Sequence, residues 1–220
     1  MVKKTLAPQQ ARSRESTRKL LKAVSEILGL VGLEGATVPR IAELAGLTPG
    51  AVYRRFPDKD ALLETAILGI LERQDERLRI GITPETARQI PLAVLVDQLI
   101  ISTLVSNRAH TRLLRTIRQF VYGREHTPFY RKAVKLERRT LQYVVELFLV
   151  HREEIKHPDP QMAITFALMT LTSALTELIL TDNDMKNWGA VLPRDEQSLR
   201  RELGRAFLSY LGIEQKGAQE

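Results

Sequence analysis

Four times in this chain of 220 residues an oxygen-bearing side chain stands directly before a proline: Thr48-Pro49, Thr83-Pro84, Thr127-Pro128 and Asp159-Pro160. Each pair reads as a helix start. The side-chain oxygen accepts from the first free N–H groups, and proline at the next position lacks a donor that would have no partner there. Asp58, followed by Lys59 and Asp60, is a fifth cap of the same kind. Alternating strand patterns are missing, and aromatics are only 5%, so the spacing predicts an all-α chain of about nine helices. These are expected near 12–32, 38–45, 49–55, 59–79, 90–107, 110–121, 128–151, 160–181 and 195–212. Pro91 must lie in a first turn, so any helix begun at Pro84 breaks before it.

Charge narrows the function. Residues 1–60 hold 11 basic and 6 acidic side chains, so most of the net +7 sits in the first quarter of the chain. A basic end on a near-neutral body points to a polyanion, nucleic acid before membrane. Cysteine is absent, which removes disulfides, zinc fingers, iron–sulfur clusters and thiol nucleophiles together. The start of the chain lacks the apolar run of a secretion signal, so a cytoplasmic protein is expected. The apolar stretch 162–180 approaches the length of a membrane span. Its threonines and Glu177 favour a helix buried in protein instead, and no membrane partner is expected.

Residues 37–56 carry the densest signal, TVPRIAELAGLTPGAVYRRF. Ala42, Gly46 four residues on and Val52 six residues further have helix-turn-helix spacing. Ala42 lets two short helices approach, Gly46 can take the positive φ of a tight turn, and Leu47 and Val52 fill the angle between the helices. The second helix would enter the major groove. Thr48 caps it and can offer its hydroxyl to a phosphate. Gly50 and Ala51 have little side chain, so the helix can approach base edges, with Ala51 near a thymine methyl. Tyr53 and Arg54 can reach backbone or bases, and Lys59 points an ammonium at the same surface.

The run Tyr53-Arg54-Arg55-Phe56-Pro57-Asp58-Lys59-Asp60-Ala61-Leu62-Leu63 closely resembles the signature of the TetR family of transcriptional repressors. So does the upstream Ala36-Thr37-Val38 through Pro49-Gly50, and the resemblance covers about residues 12–67. It implies phosphate contacts from Thr37, Tyr53 and Lys59, and base-proximal roles for Pro49, Gly50, Ala51 and Arg54. Pro39 stands where some members carry a base-reading polar residue, which leaves Arg40 to reach a phosphate instead. The resulting division is a helix-turn-helix DNA-binding domain over 1–58, a ligand-binding and dimerisation domain over 59–215, and a frayed tail at 216–220.

Beyond residue 67 the residues speak for themselves. Leu92 to Val105 is apolar nearly all round and is expected to be a central helix. Asp97, Thr103 and Leu104 on it, with Arg118, Phe120 and Tyr143, are candidate lining residues of an effector pocket. Core packing is the competing role for the aromatics, and solvation for the arginine. The basic run Arg131, Lys132, Lys135, Arg138, Arg139 reads as a solvated face. In the helix over 160–181, Ala163, Ala167, Thr170 and Ala174 form a small-residue seam, with Leu178 beside it. With Leu203, Phe207 and Tyr210 of the last helix they suggest a four-helix bundle between two copies. Intramolecular packing is the alternative.

No phosphate loop, dinucleotide fingerprint or catalytic constellation is present, so neither an enzyme nor a cofactor or metal is expected. His151, Glu153, Glu154, His157 and Asp159 cluster at a helix end and read as polar capping rather than metal ligands. The expected function is a dimeric transcriptional regulator. It would act as a repressor that leaves a palindromic double-stranded operator when a small, mainly apolar effector binds. The alternative is an activator or architectural DNA-binding protein without a releasing ligand.

Overall fold

The computed structural model describes residues 6–180 and 195–213, with side chains over 13–177 and 195–213. Ten α-helices and one 3-10 turn lie among the described residues, and no strand. The helices are α1 (Leu6–Gly35), α2 (Val38–Leu44), α3 (Pro49–Tyr53), α4 (Lys59–Gly81), α5 (Pro84–Ala87), α6 (Leu92–Ala109), α7 (Thr111–Tyr122), α8 (Pro128–Leu149), α9 (Pro160–Leu180) and α10 (Glu196–Tyr210). Every cap read from the sequence is made. Thr48, Thr83, Thr127, Asp58 and Asp159 accept from the backbone N–H groups of Ala51, Thr86, Tyr130, Ala61 and Met162. The tenth helix is the single turn Pro84–Ala87, which stops before Pro91, where the ring leaves no donor to continue it. Within α1 the backbone leaves the helix at Gly32, with φ 73° and ψ −167°. The tail 216–220 lies outside the described residues.

Contacts divide the chain into two compact units, and the division does not follow a cut at residue 58. Residues up to 74 group with 112–136, and residues 75–111 group with 137 onwards. The core of the first unit gathers Leu20, Val24 and Leu28 of α1, Ile41 and Ala42 of α2, Val52 of α3, Leu62, Leu63 and Ile67 of α4, and Phe120 and Phe129. Burying each such large apolar side chain is worth roughly 1.5–3 kcal/mol, so the short α2 and α3 are held by packing rather than by their own helix propensity.

The second unit is built on α6, α8, α9 and α10, with Ile100, Leu104, Phe148, Ile164, Leu168 and Phe207 among its buried residues. By length and composition α6 is the one described helix able to cross a membrane. It is not central, as its sequence suggested. Leu92, Leu95, Val96, Ile100 and Leu104 face the core, while Val94 and Val105 are exposed. A helix at the edge of a bundle needs only one buried face, and apolar residues on the other face are tolerated.

This unit also buries one carboxylate. Asp75 is 1% exposed and accepts from Arg79 Nε at 2.9 Å and from Thr140 Oγ1 at 3.0 Å, with Arg139 Nη2 at 2.8 Å. The Arg79 hydrogen bond holds this carboxyl below its usual range against the opposing effect of burial, helped by Thr140 and by the charges of Arg79 and Arg139. The Arg79 guanidinium also lies 4.1 Å from the Tyr143 ring centroid.

Candidate nucleic-acid interface

The turn between α2 and α3 follows from one glycine. Gly46 has φ +67°, its N–H donates to Glu43 O at 2.9 Å, and the Leu47 N–H donates to Ala42 O at 2.8 Å. These two bonds satisfy the last carbonyls of α2 and turn the chain sharply. An added Cβ at Gly46 would meet nothing within 4 Å, so the requirement is the left-handed backbone and not space. Thr37 caps α2 by accepting from Arg40 N at 3.5 Å, and Thr48 caps α3 by accepting from Ala51 N at 3.3 Å.

The outward face carries Thr37, Arg40, Thr48, Pro49, Gly50, Tyr53 and Arg54, all exposed. Tyr53 is 55% exposed, unusual for a ring that large. A Cβ at Gly50 would meet nothing within 4 Å, so the surface there is open. Ala51 differs from expectation. It is only 6% exposed, which leaves little of its methyl for a thymine.

Two basic side chains are tethered from within. Lys59 Nζ donates to Leu33 O at 3.2 Å, which leaves two of its three donors for another acceptor. Arg40 Nη1 donates to Gly35 O at 3.4 Å. Both bonds end on carbonyls in the last turn of α1, where cations are favoured. Of the adjacent arginines, Arg54 points out, while Arg55 folds back and donates from Nη1 to Ala51 O at 2.8 Å. Nothing in the run Arg54-Arg55 distinguishes the two before the helix is built.

The six pocket candidates divide between the two units. Phe120 belongs to the first unit, edge-on to Phe129 at 5.5 Å and beneath the Arg124 guanidinium at 3.5 Å. Arg118 is exposed, with its guanidinium 5.8 Å from the Tyr122 ring centroid. The other four lie in the second unit. Asp97 takes both carboxylate oxygens to Arg200 Nη2 at 2.9 Å, and Leu104 is buried in the core. Tyr143 donates its hydroxyl to Ile82 O at 2.8 Å. Thr103 is half-buried.

The expected interface residues also divide. Ala163 is interior. Ala167, Thr170, Ala174, Leu203, Phe207 and Tyr210 line an apolar groove of about 200 Å³ between α9 and α10, with the Phe207 ring also 5.5 Å from Phe148. Leu178 falls outside the residues whose side chains are described. Phe166 lines the groove as well, and Met162, Phe166 and Met169 are each more than half exposed. Their four- and three-residue spacing was the missed signal, since it puts these large apolar groups on one side of α9. The histidines at the end of α8 do not converge. His151 faces Glu154 Oε1 at 2.7 Å and Ala87 O at 3.2 Å, while His157 turns to the Asp159 backbone.

Comparison with known proteins locates the same region. Residues 20–66 match the model of the bacterial regulatory proteins of the tetR family. The HTH-type transcriptional regulator BetI of Escherichia coli O17:K52:H18 (strain UMN026 / ExPEC) is 32% identical over 139 residues, 62% of this chain and 68% of that protein. Among solved structures, a TetR-family transcriptional regulator from Mesorhizobium loti MAFF303099 superposes with a TM-score of 0.68 at 19% identity, over 91% of this chain and 97% of the other. The fatty acid degradation regulator FadR from Bacillus halodurans gives 0.61 at 18% identity, over 90% and 95%.

Proposed function

Because the chain belongs to the TetR family of bacterial regulatory proteins, we propose that this transcriptional regulator is a homodimeric, cytoplasmic repressor of a palindromic operator. The observation that carries the reading is the outward face of α2 and α3. Its rim holds Thr37, Arg40, Thr48, Tyr53 and Lys59 for phosphates, and Pro49, Gly50 and Arg54 stand at the centre for bases. A two-fold operator needs two reading heads, and the groove between α9 and α10 supports a second copy as its occupant. The groove is apolar and continuous with half-exposed Phe166, as an interface core would be.

Release by a small, mainly apolar effector is part of the same proposal. The second unit is its site, with half-buried Thr103 on α6 as a polar contact. Helix α4 supports such coupling, because it starts in the DNA-reading unit at Lys59 and ends in the second unit with Asp75 and Arg79. To empty the operator, a ligand must favour the released arrangement by ~2–3 kcal/mol or more.

Selection of duplexes from a random-sequence pool tests the DNA reading. A recovered palindrome bound by two chains is expected, and no enrichment over the starting pool refutes it. Placed before a reporter gene, the recovered site should lower expression when the protein is present. Raised expression would make the protein an activator.

A further inference from the structure

The first unit holds more charge than the helix-turn-helix accounts for. Residues 1–74 and 112–136 together carry a net +10, whereas 75–111 and 137–220 carry −3. Of that +10, six units come from residues 112–136, where seven basic side chains face a single acidic one, Glu125. This segment is the α7–α8 hairpin. Like charges so concentrated repel one another, and part of the charge is spent within the unit, Arg112 on Leu30 O and Arg124 on Asp60. Arg118, Arg131, Lys132 and Lys135 are all exposed, outside the core that Phe120, Phe129 and Ala133 build.

The turn of this hairpin sits beside the DNA-reading surface. Arg124, in the turn, pairs with Asp60 at 2.8 Å, and Asp60 follows Lys59 in the first turn of α4. Arg131 Nη1 donates to His126 O at 2.8 Å, which brings its guanidinium back to the same turn. Arg118 and Tyr122 lie at the end of α7 where that turn begins. The hairpin and the helix-turn-helix therefore share one compact unit, with one turn of the first anchored next to a phosphate-binding candidate of the second.

We propose that the α7–α8 hairpin is a second DNA-backbone contact, in which Arg131, Lys132 and Lys135 meet phosphates flanking the base pairs read by α3. The proposal rests on the DNA-binding function stated above. A polyanion is the partner that such charge density fits, and the shared unit makes it the duplex already held by α3. Contacts of this kind carry no sequence information. They lengthen the footprint and steepen the salt dependence.

The test uses the full chain and two duplexes, the selected palindrome alone and the same palindrome embedded in longer arbitrary sequence. Wild type should bind the longer duplex with the steeper salt dependence. The triple variant Arg131→Gln, Lys132→Gln, Lys135→Gln keeps length and helix propensity. It should bind the short duplex as wild type does and lose the extra slope on the long one. Removing three phosphate interactions per protomer flattens the slope by about 2.7 units. Between 50 and 200 mM salt the advantage of wild type then shrinks roughly fortyfold for each protomer. Circular dichroism checks that the variant is folded, and Arg131→Glu alone gives a second reading from a single substitution. Equal slopes for wild type and variant on both duplexes overturn the inference while leaving the DNA reading intact. Failure of wild type to select any duplex refutes that reading itself. Equal slopes with variant-sensitive binding to phosphatidylserine vesicles would assign the patch to a membrane and overturn the proposal equally.

Discussion

Two glycines four residues apart should respond to substitution in opposite senses. Gly50 sits inside α3 with ordinary helical backbone, and its Cβ would meet nothing within 4 Å. Gly50→Ala removes conformational freedom from the unfolded chain without strain and should stabilise by ~0.5–1 kcal/mol. For a chain of this length that raises Tm by about 1–4 °C. Gly46 has φ +67° in open space, so Gly46→Ala should destabilise by ~1–2 kcal/mol, a fall of roughly 2–8 °C. Gly50→Leu separates folding from function. Its side chain projects from the exposed face and should leave Tm near wild type, yet it occupies the space through which α3 approaches the bases. Breaking the hydrogen bonds to one base costs about 1–3 kcal/mol, so the selected duplex should bind at least roughly fivefold more weakly, with random duplex little changed. Thermal unfolding by circular dichroism and fluorescence anisotropy with labelled duplex measure the two effects. A Gly50→Leu protein that binds the selected duplex as wild type does would show that this face does not approach DNA. One that unfolds would show that the space is not open.

Asp75→Asn should cost ~1–2 kcal/mol at pH 7, a modest figure because Arg79 and Arg139 are partly exposed and can rehydrate. Since the fold lowers the Asp75 pKa, its stabilisation is present above the unfolded value near 4 and is lost as pH falls through the lower folded value. The variant's urea midpoint should therefore decline less between pH 5 and pH 2 than that of wild type, and parallel curves would contradict this. Thr48→Ala removes the cap of α3 and should lower stability by about 1 kcal/mol, read from the urea midpoint. Phe166→Arg places a charge in the apolar groove without touching the core. Sedimentation should show monomers, and unchanged dimers would move the interface elsewhere.

Local physics made much of this chain legible from its residues alone. A threonine or aspartate before a proline has one favourable use at a helix start, and the caps at Thr48, Thr83, Thr127 and Asp159 are all made. Gly46 follows from the same reasoning, since a turn that tight requires positive φ.

What the residues left open was decided over longer distances. Ala51 looked like a contact for bases, yet the folded chain leaves it only 6% exposed. The seam of Ala163 and Ala167 reads equally well as packing within one chain or between two, and the assembled second unit has Ala163 inside. Lys59 spends a donor on Leu33 O, a carbonyl that the sequence does not place near it. The grouping of α7 and the first turns of α8 with the DNA-reading helices joins residues some 60 positions apart, as in Asp60 and Arg124. Caps and turns are settled within a few residues, where backbone geometry leaves few choices. Which face of a helix is buried, and which charges become neighbours, depends on how distant helices share one core, and that is determined only when the chain has closed on itself.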